Sequence, residues 1–95
     1  MGKGEEGIED MSMYQIVLRP KARKELLKFP SKDQKRISAA IDSLMEEPFA
    51  GKQLQGNYAG LWSLRVWPYR VIYSISQKTV TVTVLKVGHR QGVYR

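Results

Sequence analysis

The chain has 95 residues, 42% of them hydrophobic and 26% charged, with a formal net charge of +7 and no cysteine. That length supports one domain with a modest core. The composition excludes disulfides and thiolate metal sites, no apolar run approaches the ~20 residues of a membrane span, and the N-terminus holds no apolar signal-sequence core, as expected of a cytoplasmic protein.

Residues 1–12 are rich in Gly and Glu, with Lys3 set against Glu5, Glu6, Glu9 and Asp10. They read as a flexible tail ahead of a single domain over 13–95. Without the first ten residues the remaining charge rises to +10, a balance suited to a polyanion or an acidic partner. In 13–19 (MYQIVLR), Tyr14, Ile16 and Leu18 alternate as in a strand. Pro20 then suits the first turn of a helix. Ala22, Leu26 and Phe29 form its apolar stripe, and Lys21, Arg23, Lys24 and Lys28 take the other faces. Pro30 ends that helix. Ser31 offers an N-cap to the next, with Gln34 completing a capping box. Ile37, Ala40, Ile41, Leu44 and Met45 share one face of this second helix. Glu46 and Glu47 lie at its C-terminal end, and Pro48 stops it.

Residues 49–60 read as a loop with glycines at 51, 56 and 60. Its G-x-x-x-x-G lacks the following Lys-Ser/Thr of a phosphate loop. Strands are expected at 61–66, 69–75 and 79–87, with connections short enough for an antiparallel meander. Gly88 is expected to break the last. The order gives an α+β fold, βααβββ, with an N-terminal strand and a helical hairpin packed on a mainly antiparallel sheet.

From Pro48 onward there is no Asp or Glu, yet there are seven basic residues: Lys52, Arg65, Arg70, Lys78, Lys86, Arg90 and Arg95. Alternation sets Arg65 against Trp62, Leu64 and Val66, and Arg70 against Tyr69, Val71, Tyr73 and Ile75. Those apolar sets suit the helix-covered face, so Arg65 and Arg70 should emerge together on the uncovered one. Val80, Val82 and Val84 alternate, but Leu85 and Val87 fall in the opposite register, as in a strand buried on both faces. Arginines clustered without acids make sense when an anion arrives. The same half lacks the carboxylates that hold magnesium in a nuclease. His89 is the only histidine, with no local partner for a metal, and reads as a strand-end residue. Tyr94 follows Gly92, where the chain can turn back. Its phenol is a hydrophobic tether or, beside the arginines, a group able to exchange a proton. Trp62, Trp67, Tyr58 and Tyr69 read as packing rather than base-stacking platforms.

Three elements, L-x-G-x-x-x-G-L-W-x-L-R (54–65), Y-R-V-I-Y (69–73) and V-G-H-R-x-x-V-Y (87–94), follow the hairpin in this order. From about Tyr14 to its end the chain resembles the RelE/ParE toxin superfamily, the RelE branch in particular. The resemblance implies a toxin of a type II toxin-antitoxin system. Such a toxin enters the A site of the 30S ribosomal subunit and cuts mRNA with no metal or other cofactor. A cognate acidic, RelB-like antitoxin neutralises it, and no membrane is involved. By position, Arg70 matches the arginine holding the scissile phosphate, Arg90 the one stabilising the transition state, and Tyr94 the tyrosine of proton transfer. Lys52, Arg65, Lys86 and His89 complete the expected RNA-contacting set. The chain departs from the pattern at Ser63, where such enzymes usually carry a basic residue assigned to the 2′-OH or the backbone, which leaves Arg65 and Lys52 to compensate. The alternatives are a ParE-like inhibitor of DNA gyrase, a degenerate toxin that only binds its antitoxin, or a basic nucleic-acid-binding domain. Independently of the family, the cationic face should attract an acidic, partly disordered segment that folds over it.

Overall fold

Two prolines punctuate the helical half. In the computed structural model, which describes residues 13–93, helix α1 (Pro20–Leu27) opens on Pro20 and α2 (Ser31–Ser43) follows Pro30. The expected tail lies outside the described residues. Ala22, Leu26, Ile37 and Ile41 are buried, with Leu44 just beyond α2, while the cations of α1 stay exposed. The capping box does not form. Pro30, not Ser31, occupies the N-cap and makes no side-chain capping bond. Gln34 turns the other way and donates from Nε2 to the carbonyls of Phe29 (2.8 Å) and Leu27 (3.3 Å). It thus closes the open carbonyl end of α1 and ties the hairpin together. Glu46 and Glu47 lie past the end of α2. Among the described residues no helix is long and apolar enough to cross a membrane.

One sheet contains β1 (Gln15–Leu18), β2 (Lys52–Gln53), β3 (Trp62–Val66), β4 (Tyr69–Ser76) and β5 (Thr81–His89), in the order β1-β5-β4-β3-β2. Strands β3, β4 and β5 form the antiparallel meander, and β1 joins β5 in parallel. The architecture is therefore α+β, as expected, with β2 an addition inside the expected loop.

Strand β5 corrects the reading of a strand buried on both faces. Val82, Val84 and Val87 are all buried in the one helix-facing core, which a regular strand cannot achieve. The ladder solves this with a bulge. Tyr73 stands opposite Val84 and Ile72 opposite Lys86, so Leu85 is skipped and the phase flips. Keeping Val87 in the core is worth about 1.5–3 kcal/mol. A displaced ladder hydrogen bond is worth about 1 kcal/mol net, so burial wins. Glu25 of α1 also accepts a hydrogen bond from the Val87 N–H at 2.8 Å beside the irregularity. Gly88 does not end the strand; it pairs with Arg70, and β5 runs on to His89.

Both helices pack on the side of the sheet that presents Val66, Tyr69, Val71, Tyr73 and the three valines of β5. A polar link joins α2 to the far end of β3 and β4. The Tyr69 hydroxyl donates to Asp33 Oδ2 (2.6 Å), and Arg36 donates to Asp33 Oδ1 (3.2 Å) and to the Trp67 carbonyl (2.6 Å). The Tyr69 hydrogen bond, helped by Arg36, holds the Asp33 carboxyl below its ordinary value, and the same bond, with burial, raises the Tyr69 phenol. Asp33 therefore stabilises the fold fully above its unfolded pKa, and that contribution fades as acid reaches its lowered folded pKa. Tyr69 contributes fully below its unfolded pKa and loses the contribution as base reaches its raised folded one. In thermal melts, the deficit of Asp33→Asn against the wild type should be largest between the ordinary values of 3.8 and 10.0 and shrink on both sides. A deficit that stays constant with pH would contradict this link.

Candidate functional site

With one face of the sheet under helices, cross-strand register decides what the other carries. Arg65 lies directly opposite Arg70, and Ser63 lies opposite Lys52 on one side and Ile72 on the other. Ile72 faces Lys86, and Arg70 faces Gly88. Opposed residues project to the same side, so Lys52, Arg65, Arg70 and Lys86 share the open face. Like charges set opposite each other in a ladder destabilise it. Folding alone does not call for Arg65 against Arg70. The salt bridge Arg36–Asp33 sits at the helices, and among the described residues neither Arg65 nor Arg70 pairs with a carboxylate. Nor do three His, Asp or Glu side chains gather to hold a metal among those residues.

Arg90 joins this face from its end. Its backbone N–H donates to the Pro68 carbonyl at 2.8 Å, and its guanidinium lies 4.6 Å from the centroid of the Trp67 ring. Trp67 follows directly on β3, is 56% exposed, and has its carbonyl held by Arg36. Such a cation–π contact is worth about 0.5–1 kcal/mol at an exposed site, enough to bias where the guanidinium rests. Trp67, read from the sequence as packing, is the platform for Arg90.

Beyond Arg90 the chain turns tightly. Gly92 and Val93 both donate to the His89 carbonyl (2.9 and 3.0 Å). Val93 is buried, 3.5 Å from where a Cβ on Gly88 would stand. The turn therefore lays the chain over the strand position paired with Arg70. Tyr94, the expected proton-transfer residue, lies outside the described residues. His89 is separated from the arginines, being opposite Tyr69 with its ring edge-on to that phenol at 6.1 Å, on the helix side.

A cavity of about 370 Å³ opens beside the arginine pair, lined by Ala50, Gly51, Lys52, Ser63, Arg65 and Arg70 together with Leu64. Ser63 is 3% exposed, and its Oγ has no hydrogen-bond partner. A larger cavity of about 550 Å³, near Tyr14, Asp42 and Val80, has no converging cations. The wall bearing Lys52 is held from below. Tyr73 Oη accepts from the Gly51 N–H (3.1 Å) and donates to the Pro48 carbonyl (2.8 Å), and burial pushes this phenol's pKa up so that it stays protonated. A Cβ on Gly51 would stand 2.5 Å from Tyr73 Oη and 2.7 Å from the Ser63 carbonyl oxygen. Glycine is what lets this segment reach the sheet edge.

A helical hairpin on one face of a mostly antiparallel sheet, with arginines on the other that meet no carboxylate among the described residues, defines a small α+β domain with one cationic face. A family model described as "ParE toxin of type II toxin-antitoxin system, parDE" matches residues 16–94, and the chain belongs to this RelE/ParE family of type II toxin-antitoxin toxins. It is 36% identical over 88 residues to toxin RelG of Mycobacterium tuberculosis, with 86% of this chain and 97% of that protein covered. The structure matches a chain of the RelBE2 toxin-antitoxin complex of M. tuberculosis with a TM-score of 0.76 at 34% identity, over 82% of this chain and 92% of that one. It matches a chain of the archaeal RelE–RelB complex of Pyrococcus horikoshii with a TM-score of 0.73 at 27% identity, over 85% and 99%.

Ser63 makes the site's physical claim testable without a ligand. Its buried hydroxyl lacks a partner, so Ser63→Ala should raise the unfolding free energy by about 1 kcal/mol in urea denaturation. A loss of stability would contradict an unsatisfied hydroxyl.

Proposed function

We propose that the chain is a ribosome-dependent, metal-independent endoribonuclease that cuts mRNA in the A site of the 30S subunit and so inhibits translation. The observation that carries this reading is the arginine pair Arg65–Arg70, opposed on the open face with Arg90 at its end and, among the described residues, no carboxylate paired with Arg65 or Arg70. The ribose 2′-OH attacks the adjacent 3′-phosphate. The bond from phosphorus to the 5′-oxygen breaks, leaving a 2′,3′-cyclic phosphate and a 5′-hydroxyl. Arg70, on a central strand, grips the phosphate, and Arg90 on its indole platform meets the negative charge that grows on the phosphoryl oxygens. Tyr94 donates its proton to the departing 5′-oxygen, while water takes the proton of the attacking 2′-OH and in turn reprotonates the phenolate. Lys52, Arg65 and Lys86 hold the RNA backbone; His89, on the helix side, is left out of this role. The ribosome supplies the positioning that a small open face lacks.

The relatives named RelG and RelE support this reading, and two of the solved relatives are toxin-antitoxin complexes. By the same likeness the chain's partner is an acidic antitoxin whose carboxylates cover the open face, and its working place is the cytoplasm, where ribosomes are. The ParE name of the family model favours a second reading, in which the same cationic face binds DNA gyrase and cuts nothing.

Primer extension on mRNA from a cell-free translation reaction separates the two. The nuclease reading expects codon-phased cuts, weakened about 10²–10³-fold by Arg70→Ala and strongly by Tyr94→Phe. Intact mRNA together with stalled gyrase supercoiling would overturn it in favour of the second.

A further inference from the structure

The turn between β3 and β4 carries a large side chain whose ring the core does not use. Two-residue turns between paired strands favour Asn, Asp and Gly, yet Trp67 and Pro68 stand here between Val66 and Tyr69. The main chain of the turn is held twice. The Trp67 carbonyl accepts from Arg36 (2.6 Å), and the Pro68 carbonyl accepts from the Arg90 N–H (2.8 Å). The indole is 56% exposed and lies outside the helix-facing core. Arg90 covers one face, its guanidinium 4.6 Å from the ring centroid. With more than half of the residue in water, the other face is open. Trp67 follows Arg65 by two residues and so has its parity, which sets the ring on the side of the arginine pair. Single-stranded RNA is held by this combination of parts. Cations take its backbone, and unstacked bases lie on aromatic rings, any base serving because each has a π-face.

We propose that Trp67 is a stacking platform for a nucleobase, its outer face taking the base of a nucleotide beside the phosphate that Arg90 meets. Base, indole and guanidinium then form one stack on a pinned turn. The platform adds a base contact to a face whose other side chains reach only the backbone. It also couples the seating of the strand to the placement of Arg90, because both press on the same ring. That the strand is mRNA rests on the nuclease reading; the stack itself needs only an unpaired base.

The test is a titration of the full chain at constant ionic strength with two probes. One is a trinucleotide whose 2′-deoxy sugars cannot be cut, and the other is the same backbone without bases. Binding is followed by tryptophan fluorescence and by the indole N–H resonances. Trp67→Phe assigns the signal, since Trp62 packs inside against Phe49. The trinucleotide should quench Trp67 and bind about tenfold more tightly than the abasic backbone. Trp67→Ala should lose that tenfold and bind both probes alike, and Trp67→Phe should lose less. Equal affinity of the wild type for the two probes would overturn the platform. So would a Trp67→Ala variant that weakens both probes by the same factor, which would leave the indole only a support for Arg90. The mRNA assay on the same proteins keeps the two claims apart. A wild type that stacks a base on Trp67 but leaves mRNA intact refutes the nuclease and keeps the platform. One that cuts mRNA without any preference for the base-bearing probe refutes the platform alone.

Discussion

Two guanidinium groups opposed across the β3–β4 ladder repel each other, and the fold holds them together anyway. The force that does so acts on the other side of the same strands. Val66, Tyr69, Val71 and Tyr73 are buried against the helices, each apolar side chain contributing about 1.5–3 kcal/mol. A one-residue slip would expose that set and bury the arginines. The register is thus fixed by burial, and the unfavourable pairing on the open face is its consequence. An anion arriving on this face would relieve the repulsion, so any affinity for it and the local destabilisation would share one cause.

The scaffold around this pair is tied down at both ends. Arg36 fixes the carbonyl of Trp67, and Trp67 bears Arg90. Asp33 and Tyr69 anchor the same corner to α2. At the opposite edge, the buried phenol of Tyr73 holds the short strand that presents Lys52. Aromatic residues that pack the helix side therefore also set the geometry of the cationic side, and changes in the core near Tyr69 or Tyr73 reach the site without touching ligand.

Much of this was legible from residue order. Period-two alternation sufficed to put Arg65 and Arg70 on one face, because β3 and β4 are regular and joined by a two-residue turn. The same rule failed on β5, where a bulge at Leu85 inserts a residue that no strict period reveals. Strand β2 leaves no mark in the sequence pattern because two residues carry no alternation, and its place depends on a phenol far along the chain. Gln34 has the spacing of a capping box, yet it chose the carbonyls that the end of α1 brings near. The contact of Trp67 with Arg90 is likewise tertiary. The motif named both arginines, but not the indole between turn and strand end, nor the cavity over Ser63.

In the proposed reaction Arg70 and Arg90 close on a single phosphate at the open face. The most direct measurement is a structure of this protein on a ribosome carrying mRNA with a 2′-deoxy nucleotide at the cut site. The scissile phosphorus is expected between the two guanidinium groups, with the Trp67 ring still behind Arg90. RNA lying instead along Lys21, Lys24 and Lys28 of α1, with Arg70 left in solvent, would contradict it.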